Sequence, residues 1–177
     1  MDDSTAAVFE IEDKEELISE IMNKYGQEIL QLVYSYVNNK EVAEDLTQDI
    51  FVKCYKSLHT YKGKSKIRTW LWRIAINHCK DYLKRWYNKK VIITENESTF
   101  NIVHKESVEQ TVIQHDEDHR LATAVMKLPI KYREVIYLFY FEELPIKEMS
   151  MVLGVKENTI KTRLKRAKEL LKRGLEE

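Results

Sequence analysis

A stretch of twenty-one residues without glycine or proline, from Ile67 to Tyr87, constrains the fold of this chain most strongly. It reads IRTWLWRIAINHCKDYLKRWY, and its apolar residues recur at helical spacing. At about 100° of rotation per residue, one broad arc collects the side chains predicted to face a core. That arc contains Leu71, Ile74, Ala75, Cys79, Tyr82, Leu83 and Trp86. We therefore predict one long amphipathic helix.

The opposite side of this helix carries an unusual mixture of side chains. Four polar residues fall on a narrow stripe and a tryptophan lies on its flank: Arg73, Asn77, Lys80, Lys84 and Trp70. A nucleic-acid surface uses cations for phosphates, an amide for a base edge and aromatic rings for stacking on unpaired bases. A merely basic, solvated face is the alternative, and the helix alone leaves both interpretations open.

Composition favours an all-α fold for the whole chain. Only four glycines and two prolines occur in 177 residues, which leaves few turns, and 44% hydrophobic residues suffice for a core. No apolar run approaches the roughly 18 residues that a transmembrane helix needs. The acidic start, MDDSTAAVFEIEDKEE, lacks the features of a signal peptide. We expect a cytoplasmic protein that does not insert into membranes.

The net charge is zero, but its distribution is informative. Residues 61–90 hold ten Lys or Arg against one Asp, and residues 153–177 hold eight against four acidic residues. Residues 1–60, with thirteen acidic residues against five basic, and residues 91–123, with seven against two, are acidic. Two basic blocks indicate two contacts with one polyanion, and the acidic blocks leave surfaces for another partner.

The chain offers little for catalysis or metal binding. Cys54 and Cys79 lie in helical patterns and are predicted to be buried, reduced thiols. No CxxC pair occurs, and the HxxxH spacing of His115 and His119 falls in and beside the predicted linker rather than on a rigid element. His78 is predicted to be partly buried. The histidines near residues 104–119 form no pair with an acid on a rigid element. We expect no cofactor and no enzymatic activity.

The chain divides into two predicted helical domains. Residues 1–13 are expected to be disordered, 14–90 to form an N-terminal helical bundle, 91–115 to form a flexible linker, and 116–177 to form a second domain. In the bundle, Gly26 is predicted to separate two helices, and a third runs from about Glu41 to Leu58 with Val42, Leu46, Ile50 and Tyr55 inward. Asp45, Gln48 and Asp49 lie off that inner face.

The second domain carries a helix-turn-helix signature. Ser150 is followed four residues later by Gly154, where a turn needs a left-handed backbone, and Ile160 follows six residues after that. The second helix presents Asn158, Lys161, Thr162, Lys165 and Arg166 outward. Such side chains suit base edges and phosphates in a major groove.

The ordered set of motifs resembles the extracytoplasmic-function group of bacterial RNA polymerase sigma factors, group 4 of the sigma-70 family. The resemblance is carried by AEDLTQDIF at 43–51, TWLWRIAIN at 69–77, LP at 128–129 with YR at 132–133, and NTIKTRLKRA at 158–167. These motifs cover nearly the whole chain in the family's order. Asp49 stands where the family commonly has Glu, and Asn158 where it commonly has Gly.

The resemblance implies specific partners and roles. The first domain would bind core RNA polymerase through Asp45, Gln48 and Asp49, and would read the promoter −10 element, with Asn77 capturing an unpaired base. The second domain would read the −35 element through Lys161, Thr162, Lys165 and Arg166. The family's usual regulator is an anti-sigma protein, in many cases membrane-bound. The competing hypothesis is a stand-alone helix-turn-helix regulator, which would bind its operator duplex without polymerase.

Overall fold

A computed structural model describes residues 11–94 and 116–176, and within these ranges the chain is helical without strands. The helices are α1 (Ile11–Val37), α2 (Lys40–Ser57), α3 (Ile67–Thr94), α4 (Asp116–Lys127), α5 (Ile130–Ile136), α6 (Ile146–Leu153) and α7 (Glu157–Glu176). A 3₁₀ turn, Leu58–Thr60, follows α2, and a π-helical turn, Tyr137–Phe141, follows α5. The predicted all-α class is confirmed.

One continuous helix, α1, replaces the two helices predicted on either side of Gly26. A mid-helix glycine costs only about 0.5–1 kcal/mol relative to alanine. Burial of Tyr25 and Ile29 on both sides of it offsets that cost. The helix also begins at Ile11, inside the stretch 1–13 predicted to be disordered, so that boundary is corrected. Residues 1–10 of that stretch lie outside the described residues.

Helix α2 begins at a capped end and packs on α1. The Asn39 side chain accepts a hydrogen bond of 3.0 Å from the Val42 amide, satisfying an otherwise free N–H of the first turn. Its buried side chains are Ala43, Leu46, Ile50, Phe51 and Cys54. The predicted inner face is therefore rotated slightly, because Tyr55 is exposed and Val42 only half-buried.

The long helix α3 is confirmed, but its buried face is broader than predicted and includes Trp72 and Ile76. Helices α1 and α2 cover it on one side and α6 on another. The Trp72 ring meets Tyr25 edge-on, with ring centroids 5.6 Å apart. Trp86, predicted to face the core, is 41% exposed. Residues 91–94, assigned to the linker, instead continue α3, since no helix breaker follows Tyr87; residues 95–115 lie outside the described residues.

The C-terminal domain is the predicted helix-turn-helix preceded by two helices. Gly154 ends α6 with φ 66° and ψ 31°, the left-handed conformation that the spacing called for. The Ser150 hydroxyl donates to the Val155 carbonyl at 2.6 Å, so this small residue ties the turn as well as permitting the crossing. Met149 and Ile160 are fully buried between α6 and α7. Leu121 on α4 is 42% exposed.

The two domains pack against each other. Helix α6 contacts α3, and α5 contacts α1. The Arg133 guanidinium on α5 donates 3.0 Å to the Ser35 carbonyl at the end of α1. The Arg68 guanidinium on α3 lies 2.6 Å from the buried Glu142 carboxylate. The helix carrying the candidate −10 stripe is thus in contact with the helix-turn-helix domain.

Candidate nucleic-acid interface

The predicted polar stripe lies along the solvent-facing side of α3. Arg73, Asn77 and Lys84 are exposed, so their charges and amide are available to a ligand. Trp70 is half-buried, with its ring 5.5 Å from that of Tyr61 and tilted by 50°. The Tyr61 hydroxyl donates to the Ser65 carbonyl at 2.6 Å, which holds this loop residue against the helix. An aromatic pair therefore stands at one end of the stripe.

Lys66 extends this stripe beyond the prediction. It precedes the first helical residue, and its carbonyl accepts 3.2 Å from the Trp70 amide, so it begins the helical pattern. Its ammonium lies 2.9 Å from the Glu148 carboxylate on α6. Lys66 lies one helical turn before Trp70, so extending the helical periodicity backwards would have placed it on the stripe. The start of the helix was not evident from the sequence, because a basic loop leads into it.

Lys80 differs from its neighbours on the stripe because it is already paired. Its ammonium lies 2.9 Å from Oε2 of Glu134, and its side chain is 38% exposed. Glu134 is buried in α5, where it also accepts 2.8 Å from the Tyr36 hydroxyl and 3.1 Å from Arg163. No pattern in the sequence linked Glu134 to the stripe, because their contact depends on how the domains pack.

The second candidate surface is the outer face of α7. The five predicted residues are all exposed there: Asn158, Lys161, Thr162, Lys165 and Arg166. Ile160, Leu164 and Ala167 are buried on the opposite side, as predicted. The Thr162 hydroxyl donates back to the Asn158 carbonyl at 2.9 Å, and Arg166 pairs with Glu169 at 2.9 Å. These contacts are local and solvent-exposed, so a DNA groove can replace them.

The acidic surface of α2 is the third feature. Asp45, Gln48 and Asp49 are exposed on one side of the helix, with Val52 also exposed a turn further on. The Asp49 carboxylate lies 3.7 Å from Nε2 of His78, which is buried beneath α2. Burial, reinforced by Lys53, lowers the pKa of His78 below its ordinary value, although Asp49 opposes this. The surface can therefore offer two carboxylates to a basic partner.

The structure also bears on the two thiols, on metal binding and on membrane spans. Cys54 and Cys79 are buried and unpaired, as predicted, and burial raises the pKa of each to about 12. Within residues 11–94 and 116–176, no cluster of three or more His, Cys, Asp or Glu side chains could hold a metal ion. Among the helices of those ranges, none has both the length and the apolar character to cross a membrane.

Comparison with known proteins finds a family match for each half of the chain. The sigma-70 region 2 family model matches residues 13–87, which contain the α2 surface and the α3 stripe. The sigma-70 region 4 model matches residues 118–171, which contain the helix-turn-helix. The ECF RNA polymerase sigma factor SigW of Bacillus subtilis is 30% identical over 91% of this chain and 90% of its own length. SigM of the same organism is 31% identical over 88% of this chain and 93% of its own.

Solved structures share the fold. The sigma factor RpoE in complex with the anti-sigma factor NepR from Bartonella quintana matches with a TM-score of 0.70, over 89% of this chain and 96% of that one, at 19% identity. CnrH in complex with the cytosolic domain of CnrY matches with a TM-score of 0.65 at 21% identity, over 92% and 89% of the two chains. Two regions of the sigma-70 class, in this order on this fold, define a transcription initiation factor. The chain belongs to the ECF sigma factors.

Proposed function

We propose that this chain binds core RNA polymerase through the acidic face of α2, captures the unpaired −10 strand on the α3 stripe and reads the −35 duplex with α7. The observation that carries the proposal is the pairing of two unlike DNA surfaces on one chain. The α3 stripe combines cations, an amide and an aromatic pair, which suits single strands. Helix α7 follows a helix-turn-helix turn, which suits a major groove.

Reconstituted transcription tests this function. Purified chain added to core polymerase is expected to direct initiation from a subset of promoters, while core polymerase alone does not. The stand-alone regulator makes the opposite prediction, namely tight, sequence-selective binding to duplex DNA without polymerase. Family membership over both regions already disfavours that alternative. Duplex binding that is equally selective with and without core polymerase would contradict the proposal.

The same proposal covers partners and place of action. The chain acts in the cytoplasm, where core polymerase and promoter DNA are found, and contributes binding energy rather than chemistry of its own. An anti-sigma protein is the expected regulator, because both structural neighbours above were solved with a partner protein, named as an anti-sigma factor for RpoE. Residues 95–115 are proposed to serve as the connector between the −10 and −35 reading domains.

A further inference from the structure

One buried carboxylate holds the two domains together. The Glu134 side chain is 2% exposed, and its Oε2 receives both the Tyr36 hydroxyl at 2.8 Å and the Lys80 ammonium at 2.9 Å. Its Oε1 receives Arg163 at 3.1 Å. Arg163 belongs to the same domain as Glu134, whereas Tyr36 and Lys80 come from the N-terminal bundle. Separation of the domains would therefore leave Glu134 paired on one side only.

A second carboxylate of the same domain pairs further along the stripe. The Lys66 ammonium lies 2.9 Å from Glu148 on α6. Lys66 and Lys80 are separated by about 21 Å along α3 and point in directions within about 40° of each other. The C-terminal domain thus supplies an anion to each of these two cations, and Arg73 and Asn77 lie between them.

We propose that this packed arrangement is autoinhibitory, and that Glu134 and Glu148 occupy the cations that the phosphates of the −10 strand would otherwise bind. The inference rests on the −10 role proposed above for the α3 stripe. In the closed chain the stripe keeps its exposed amide, but Lys66 and Lys80 are each already paired with a carboxylate. A strand must therefore displace two carboxylates before it can follow the whole stripe.

The energetics suit a reversible contact. Taking charged groups out of water offsets most of the attraction between them, so ion pairs of this kind contribute little net stability. The Lys66 side chain is 77% exposed, and its pair with Glu148 is open to competition by phosphate. Burial, together with the Glu134 carboxylate, raises the pKa of Tyr36 well above its ordinary value, so the phenol remains a donor to Glu134. The apparent affinity for a single strand is then proportional to the fraction of molecules in which the two domains are separated.

Two substitutions test the closed state without touching the stripe. Tyr36→Phe removes one donor to Glu134 and leaves every charge unchanged, so a gain in DNA affinity cannot come from net charge. Glu148→Gln releases Lys66 while the Glu134 contacts remain. The double neutralisation Asp118→Asn with Glu176→Gln is the control for charge, since both residues are exposed and lie on α4 and α7, which pack on each other. Circular dichroism of each variant checks that the helices are retained.

The measurements use the full chain with a fluorescein-labelled, mixed-sequence 12-nucleotide single strand, and small-angle X-ray scattering in the same buffer. Each test variant is expected to bind the strand about three- to tenfold more tightly than the wild type, the effect of losing one hydrogen bond or ion pair from the closed state. The radius of gyration should rise in parallel. The charge control should change affinity by less than either test variant and should not change the radius.

Two results would overturn the inference. The first leaves the −10 proposal intact, and the second contradicts it as well. If Tyr36→Phe and Glu148→Gln leave both radius and affinity at the wild-type values, the closed state is wrong and the −10 proposal stands. If the radius rises while none of the proteins binds the strand, even when core polymerase is added, both the autoinhibitory role and the −10 assignment are wrong.

Discussion

The ring of Trp70 on α3 lies 5.5 Å from the ring of Tyr61, which belongs to the loop before that helix. The pair precedes Arg73 and Asn77 by about one and two helical turns. Both rings are half-buried, so part of each side chain is open to solvent. The stripe therefore begins at an aromatic surface and continues into a cation and an amide, which is the order of contacts that an unpaired strand can use.

The first prediction concerns Asn77, an exposed short amide in the middle of the stripe. Asn77→Ala is expected to leave folding and core binding intact while reducing formation of the strand-separated promoter complex. Loss of a base-edge contact should cost about 1–3 kcal/mol of discrimination. Permanganate reactivity of −10 thymines, compared on duplex and pre-melted templates, measures the effect. Asn23→Ala, an exposed amide on α1, is the control, and equal opening by all three proteins would contradict a role for Asn77.

The second prediction concerns the acidic face of α2. Reversing Asp45 and Asp49 to Lys should weaken association with core polymerase, because both carboxylates are exposed on one side of the helix. Surface substitutions usually change stability by no more than about 0.5 kcal/mol, so the fold should persist. Reversing Glu15 and Glu20 on α1 to Lys matches the change in charge. Equal recovery of core polymerase by all proteins in a pull-down would reject the assignment.

The third prediction assigns different DNA contacts to two residues of α7. Thr162 lies near the start of the helix and should affect which base pairs are preferred, so its substitution is expected to alter −35 sequence preference. Arg166 lies a turn later and should contact phosphate, so Arg166→Ala should weaken binding evenly across sequences and lower the salt slope by about one unit. Titrations of holoenzyme with promoter variants at several salt concentrations separate the two effects. A change in preference alone for both variants would show that the division is wrong.

The fourth prediction compares two glycines with different backbones. Gly154 has φ 66°, and an added methyl group there meets backbone strain, so Gly154→Ala should destabilise the domain by about 1–2 kcal/mol. Gly26 lies inside α1 with open space around it, so Gly26→Ala should stabilise by about 0.4–1 kcal/mol. Urea denaturation measures both. The two substitutions should change the free energy of unfolding in opposite directions. A gain in stability from Gly154→Ala would contradict the need for a left-handed backbone at this residue.

The fifth prediction concerns the thiols. A pKa of about 12 leaves only about one thiolate in ten thousand at pH 8 for Cys54 and Cys79, and the thiolate is the reactive form. Ellman's reagent at pH 8 is expected to titrate no thiol rapidly in the folded chain and two after unfolding in guanidinium. Raising the pH should speed the reaction because the thiolate fraction grows, and circular dichroism checks that the fold survives, since unfolding would also expose both thiols. Rapid reaction of either thiol at pH 8 would contradict its burial.

The sequence by itself determined the elements and their chemistry. Helical periodicity and scarce breakers predicted α3, and the spacing from Ser150 to Gly154 to Ile160 predicted the helix-turn-helix. These features depend on residues within a few turns of one another, where a periodic pattern reports directly on burial. The same locality explains why all five residues predicted on α7 are exposed.

Tertiary structure decided what the local pattern could not. Gly26 does not break α1, because packing on both sides of it holds the helix together. Trp72 rather than Trp86 is buried in α3, because the bundle and α6 cover the middle of that helix and leave its later turns exposed. Lys80 is paired with Glu134 rather than free, because domain packing brings two residues far apart in sequence to 2.9 Å. Periodicity gives the direction in which a side chain points, and only the assembled neighbours determine what it meets there.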